Sequence, residues 1–310
     1  MTLHQYLDDT KKTIADLSKE SGLPYSTISE LVNGKKTIMN CTVETVYQLA
    51  SSLSLTVDEL LRMEKEEKYK DKYLLTEKEE LFLAKKFWDE NVYCGMRMEN
   101  RAVTFPQTKT IIEGINVSEV SLDDVFAIRN MRDAWKYIFS TAYEPLSLDY
   151  ICKLNSYIAR DEALEWGVLR SGNVGISGTS YIPPIPKRNT AERELNNILL
   201  SFSSITEKAL DIFCFITRNQ LFWDGNKRTS LCAANKLLLS KGRGLLTIKE
   251  KNMKEFNTLL CSFYDTGDKE ELKSFLYHNA IFGIDRSEQW TYITNIDFML
   301  SAKYKLAFKL

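Results

Sequence analysis

The ten residues from Gln220 to Thr229, QLFWDGNKRT, concentrate more chemistry than any other stretch of the chain. They form an abrupt turn between two helix-patterned runs, EKALDIFCFITRN and KRTSLCAANKLLLSKG. Gly225 admits backbone dihedrals that other residues resist. Asn226, Lys227 and Arg228 then open a helix whose first N–H groups and dipole attract an anion. Arg228 offers a planar fork for phosphate, and Asp224 is a hard oxygen ligand of the kind Mg²⁺ takes together with phosphate oxygens. A nucleotide suits this combination. The same residues also fit a plainer reading, in which Asp224 and Asn226 cap a helix and Lys227 and Arg228 are surface charges.

The elements that must position this segment are helical. From about residue 76 to 283, runs such as SLDDVFAIRNMRDAWKYIF, SLDYICKLNSYIAR and NTAERELNNILL place apolar residues three and four apart. One stretch, VLRSGNVGISGTSYIPPIP at 168–186, breaks that periodicity with glycines and Pro183-Pro184, which predicts a β-hairpin flap on a helical bundle. Residues 64–75 begin with a run, EKEEKYKDK, whose charges are spaced for pairs along a solvated helical linker. Residues 284–310 are aromatic and apolar enough to be ordered, without a role legible in their pattern.

Composition agrees with an ordinary folded protein. The 310 residues are 44% hydrophobic and 27% charged, which excludes disordered and low-complexity classes, and the length suggests two units. Lys plus Arg number 41 against 42 Asp plus Glu, so any DNA contact must be local. Six scattered cysteines show neither zinc nor disulfide spacing. No run approaches the roughly 18 apolar residues of a membrane span, and the first residues lack signal-peptide order. A cytoplasmic protein with no membrane partner is expected. Only His4 and His278 are histidines, which removes much of the usual acid–base chemistry.

Residues 1–63 read as short capped helices. Thr13 to Glu20 gives one, Ser21-Gly22 stops it, and Pro24 begins the next, which ends at Asn33-Gly34. Ile14, Leu17, Leu23, Ile28, Leu31 and Val32 form the apolar side of this helix-turn-helix spacing. The segment IADLSKESGLPYSTISELVNGKKTIMNCTVETVYQLASSLSLTVDELL resembles the phage-repressor-like (Xre) family over the whole unit. The resemblance implies a DNA operator as partner. Tyr25, Ser26, Thr27 and Ser29 would face bases, and Asn33, Lys35 and Lys36 would meet phosphate, in a homodimer reading paired half-sites. The unit's own charge of −2, six basic against eight acidic residues, also suits a helical protein-interaction module.

FWDGNKRT resembles the signature HxFx(D/E)GN(G/K)R of the Fic/Doc family, over roughly 200 residues that include the 168–186 flap. The fold implied is all-α: an N-terminal helix-turn-helix bundle and a larger Fic-type bundle at 76–283 carrying the small hairpin. Most members transfer AMP from ATP, with Mg²⁺, to a hydroxyl on a protein target; a Doc-type branch with Lys, as at Lys227, transfers phosphate. By this resemblance Asp224 holds Mg²⁺, Asn226, Lys227 and Arg228 bind the phosphates, Gly225 allows close backbone approach, and Phe222 anchors the loop. Gly178, Thr179, Tyr181 and Ile182 lie on the flap that meets the target.

Two departures bear on activity. Gln220 stands where the family has its catalytic histidine, and an amide cannot accept a proton at neutral pH. The family's inhibitory motif, (S/T)xxxE(G/N), pairs its glutamate with a later arginine, and that position is Leu231 here. The Glu-Gly and Glu-Asn pairs begin at Glu90, Glu99 and Glu113, preceded four residues earlier by Lys86, Gly95 and Lys109. Glu113-Gly114 sits where the family usually places the motif and also fits a helix cap. Four readings follow: a protein adenylyltransferase with a DNA-binding regulatory domain, a catalytically degenerate ATP-sensing transcriptional regulator of a toxin–antitoxin locus, a Doc-like phosphotransferase toxin, or a scaffold that binds a protein strand along the flap without nucleotide.

Overall fold

A computed structural model describes residues 2–63 and 68–284, and within them the architecture is all-α. The N-terminal unit comprises α1 (Leu3–Thr10), α2 (Ile14–Ser21), α3 (Tyr25–Val32), α4 (Val43–Ser52) and α5 (Val57–Met63). Its helices are short, so caps fix their ends. Thr2 with Gln5 and Thr13 with Asp16 form capping boxes ahead of α1 and α2, and Thr42 caps α4. Gly22, at φ 71°, ends α2 and turns the chain toward Pro24 and α3. Leu3, Leu7, Leu17, Ile28, Leu49 and Leu60 close a core of their own. Helix α1 has no counterpart in the sequence reading; its capping box and the Leu3/Leu7 pair are the signals for it.

The second unit contains α6 (Glu77–Met98), α7 (Phe105–Ile112), α8 (Leu122–Ser140), α9 (Leu148–Ile158), α10 (Arg188–Leu200), α11 (Ile205–Asn219), α12 (Asn226–Lys241), α13 (Met253–Thr266) and α14 (Glu270–Ala280). A two-stranded antiparallel ribbon joins β1 (Leu245–Leu246) to β2 (Ile281–Phe282), with Leu245 opposite Phe282. Helix α12 is the axis, packed by α11, α6, α9 and α8 and buried on almost every side. Inward polar groups in its C-terminal half find partners. Asn235 donates to Asn91 Oδ1 and the Leu246 carbonyl and accepts from the Leu246 amide at 2.8 Å. Lys236 Nζ donates to the carbonyls of Ala142 (2.6 Å) and Glu144 (2.7 Å), and burial pulls its pKa down to about 8.

Two expected elements take another form. The charged linker was expected to be helical; residues 64–67 lie outside the described ones, and 68–75 are a turn followed by an extended strap. The strap is held by long-range contacts that a solvated helix could not make. Tyr69 is buried and donates to Glu270, and Asp71 accepts from the Thr206 amide (2.8 Å) and pairs with Arg243 (2.8 Å). The Leu75 amide reaches the Gly242 carbonyl. The expected hairpin at 168–186 has no strand ladder; it is an irregular extended loop. Pro183, Pro184 and Pro186 lack amide donors, and the carbonyls of Gly172, Pro183 and Pro184 are taken by Arg170 rather than by a facing strand. Of the extension at 284–310, residues 285–310 lie outside the described ones.

Candidate functional site

The site is the turn between α11 and α12. Gln220 ends α11 in the left-handed region, φ 44°, a conformation an L side chain adopts at some cost. Its side chain is engaged at both ends: Nε2 donates to the Thr217 carbonyl (2.6 Å) and Oε1 accepts from Asn226 Nδ2 (3.1 Å). Asn226 in turn closes the loop, accepting from the Phe222 amide (2.9 Å) and donating to the Phe222 carbonyl (2.8 Å). Phe222 itself is fully buried beneath it. Gly225 starts α12 at φ 72°, where no side chain caps the helix, and a Cβ there would stand 3.0 Å from Ile158. The loop is therefore rigid and leaves a helix N-terminus without a capping side chain.

Arg228 projects from the first turn of α12 and is 1% exposed. Nη1 donates to Glu162 Oε1 (2.9 Å) and to the Ile158 carbonyl at the end of α9 (3.2 Å). The other edge is different. Nε is buried without a hydrogen-bond acceptor and lies 3.6 Å from Glu99 Oε1, while Nη2 is 3.9 Å from Asp224 Oδ1. Burial opposes the guanidinium charge, but Glu99, Glu162 and Asp224 outweigh it and raise its pKa above the usual arginine value. Lys227 turns away from the cradle, donating to the Met98 carbonyl (2.6 Å) and pairing with Glu99 (2.8 Å). Of the three Glu-Gly and Glu-Asn pairs, it is thus Glu99-Asn100 that reaches the motif. Glu113 is the exposed C-cap of α7.

Asp224 is about half exposed; its Oδ1 accepts the Gly225 amide at 2.5 Å. One accessible carboxylate beside a helix N-terminus and an arginine fits Mg²⁺ that draws its remaining ligands from phosphate oxygens and water. Among the described residues no group of three or more His, Cys, Asp or Glu is placed to hold a metal by protein ligands alone.

Two positioning residues escaped the sequence reading. Asn155, buried on α9, donates to the Asp224 carbonyl (3.0 Å) and Thr229 Oγ1 (3.2 Å) and accepts from the Gly167 amide (2.9 Å). Arg170 is buried and donates to the carbonyls of Asn219, Gln220, Gly172, Pro183 and Pro184, binding the flap to the motif loop. Burial lowers its pKa, with Tyr181 opposing the shift. No local motif marks either residue, since their partners lie up to 74 positions away. The expected flap residues are fastened to α13 and α11: Thr179 bonds Asp265 and Gly178 lies beside Cys261 on α13, and Arg218 of α11 stacks 4.0 Å over the Tyr181 ring. Ile182 is the large apolar side chain among them that stands out, 68% exposed.

In the N-terminal unit, Tyr25 and Ser26 are exposed at the start of α3, with Thr27 and Ser29 half-buried behind them. Asn33, which donates to Ser29, is exposed with Lys35 and Lys36 at its end. The seven residues thus lie along one helix and the turn that follows it.

Residues 145–238 match the Fic/DOC family, and residues 2–66 match the Cro/C1-type HTH DNA-binding domain. The chain therefore joins a Cro/C1-type HTH domain to a Fic/DOC domain. None of the curated proteins matches it in sequence. Among solved structures it is similar to a Fic domain containing signaling protein from Bacteroides thetaiotaomicron, with 20% identity and a TM-score of 0.54 over 66% of this chain and 85% of that one. It is also similar to Fic-1 (residues 134–508) from C. elegans, with 14% identity and a TM-score of 0.57 over 89% and 82%. A Fic family protein from Desulfovibrio desulfuricans has 15% identity and a TM-score of 0.52 over 86% and 70%. At these identities the likeness is one of fold. Among the described residues no helix is long and apolar enough to cross a membrane.

Proposed function

We propose that this protein is a DNA-binding regulator whose Fic/DOC domain senses ATP with Mg²⁺ at the N-terminus of α12. The observation that carries the reading is the Nε/Nη2 edge of Arg228: Nε is buried with no hydrogen-bond acceptor, and Nη2 beside it comes no nearer than 3.9 Å to Asp224, next to an uncapped helix start. Phosphate oxygens are the acceptors that geometry suits. Glu99 is the group they must displace. Asn226 and Gly225 shape the loop, Asp224 takes the Mg²⁺, and Lys227 becomes available once Glu99 leaves. Gln220 favours sensing over transfer, because its amide accepts no proton and both its ends are already bonded. The Cro/C1-type domain delivers the output, with α3 in the major groove of an operator read by paired copies.

A second reading, AMP transfer to a hydroxyl of a protein target, is favoured by Ile182 standing exposed on a flap that Arg170 ties to the motif loop. Phosphoryl and nucleotidyl transfer depend chiefly on positioning and charge, so a site without its base retains a residual rate. Mass spectrometry after incubation with Mg²⁺ and ATP separates the readings. Retained, unmodified ATP that disappears in Arg228→Ala supports the sensor; a protein mass increase of one AMP, or of one phosphate as Lys227 would suit, names a transferase. Gln220→His then reports whether the histidine alone was missing. On the DNA side, Lys36→Ala is expected to lower the slope of log affinity against log salt by about 1, read by fluorescence anisotropy.

A further inference from the structure

We propose that Glu162 is a positioning residue that holds Arg228 from behind and thereby presents its Nε/Nη2 edge to phosphate. This inference rests on the nucleotide reading above. Two carboxylates approach the same buried guanidinium, and their geometry gives them opposite roles. Glu162 bonds Nη1 at 2.9 Å, on the side shared with the Ile158 carbonyl; Glu99 stands 3.6 Å from Nε, on the edge without a hydrogen-bond acceptor.

Glu162 is itself fixed. Its Oε2 pairs closely with Arg101, which also bonds Asp124 at 2.8 Å, and its Oε1 is 3.4 Å from Asn130 Nδ2. Asn130 is held in turn by Arg160 and by the Arg160 carbonyl. Glu162 therefore belongs to a network spanning α8, the end of α9 and the loop before α7, none of which carries the phosphate-binding motif. Glu99 has no such backing among the described residues; its partners are Lys227 and Arg228. A guanidinium anchored at one edge loses little further freedom when a ligand takes the other, which is the energetic value of preorganisation. Removing the anchor frees Arg228 to rotate and leaves it to Glu99 and Asp224, the carboxylates on its phosphate-facing edge, so both effects oppose phosphate.

The test compares Glu162→Gln, Glu162→Asp and Glu99→Gln in the full chain by calorimetric titration with Mg-ATP, and with tripolyphosphate to separate phosphate from base recognition. Glu162→Gln is expected to weaken binding about tenfold or more, Glu162→Asp to recover part of it, and Glu99→Gln to strengthen it. Thermal melts establish that each variant is folded. A second measurement needs no ligand: arginine ¹⁵N NMR, with the Arg228 signals assigned by their loss in Arg228→Lys. Distinct Nη1 and Nη2 signals, reflecting hindered rotation, are expected in the wild type and should merge in Glu162→Gln. Equal or tighter ATP binding by Glu162→Gln overturns the proposal, as do unchanged Nη signals. Failure of the wild type and Glu99→Gln to bind either polyphosphate overturns the nucleotide reading instead, and the NMR result still decides whether Glu162 restrains Arg228.

Discussion

The two ends of α12 are built from similar residues to different effect. At the N-terminal end, Arg228 is buried with one edge anchored by Glu162 and the Ile158 carbonyl and the other without an acceptor. At the C-terminal end the donors are all taken: Arg243 pairs with Asp71, Leu75 caps the Gly242 carbonyl, and the Gly244 amide donates to Glu80 Oε2 at 3.0 Å, which leaves the buried Glu80 Oε1 as the atom without a partner. An unspent donor at one end and an unspent carboxyl oxygen at the other is the physical difference between a place that receives an anion and a clasp that holds the chain. Arg170 shows that burial alone does not make an arginine a site. Its donors are spent on backbone carbonyls and leave no edge for an anion.

Changes at the two ends should therefore separate stability from binding. The largest effect is expected at Arg170, where Arg170→Leu strips buried carbonyls of their donor; a loss of about 3–5 kcal/mol in denaturant unfolding is expected, with the motif loop and flap exposed to proteolysis. Next comes Arg228→Ala, which should lower ATP affinity about 100-fold in calorimetry. Asp71→Asn, at the other end, should cost about 1–2 kcal/mol of stability while leaving ATP affinity at the wild-type value. A loss of affinity there would break the contrast between the two ends.

The smallest effect concerns Glu80, buried on α6 against that same clasp. Burial raises its pKa from 4.5 to about 8, with the Gly244 hydrogen bond and Arg243 opposing the shift. A folded-state pKa above the unfolded one means the native protein holds the proton more tightly. Its contribution is fully present below about pH 4.5 and is lost as the pH rises toward 8. Glu80→Gln should flatten that part of the stability–pH profile and raise the melting temperature at neutral pH. A mutant with the wild-type slope would place the titration elsewhere.

Helices α2 and α3 of the N-terminal unit were legible because their signals are local: Pro24 and Gly22 sit at the turn they predict, and Leu17, Ile28 and Leu31 point inward as their spacing requires. The same holds for α8, α9, α11 and α12, whose ends fall within a few residues of their patterns. The strap at 68–75 was misread because charge spacing describes a helix in water, whereas Tyr69 and Asp71 find better partners on Glu270, Thr206 and Arg243 far along the chain. The flap was misread as a hairpin for a related reason. Glycine and proline announce a departure from helix, but whether strands then pair depends on where the carbonyls go, and Arg170 takes them.

By itself, then, the sequence determined the helical class, the helix-turn-helix spacing and the cradle of Gly225, Asn226 and Arg228, because glycine geometry, capping and periodicity act over a handful of residues. Tertiary structure decided which charges meet that cradle. Glu99 and Glu162 lie 129 and 66 positions before Arg228 and reach it from opposite sides. Coulomb attraction in a buried site depends on distance through space, and the spacing of residues along the chain carries no record of it.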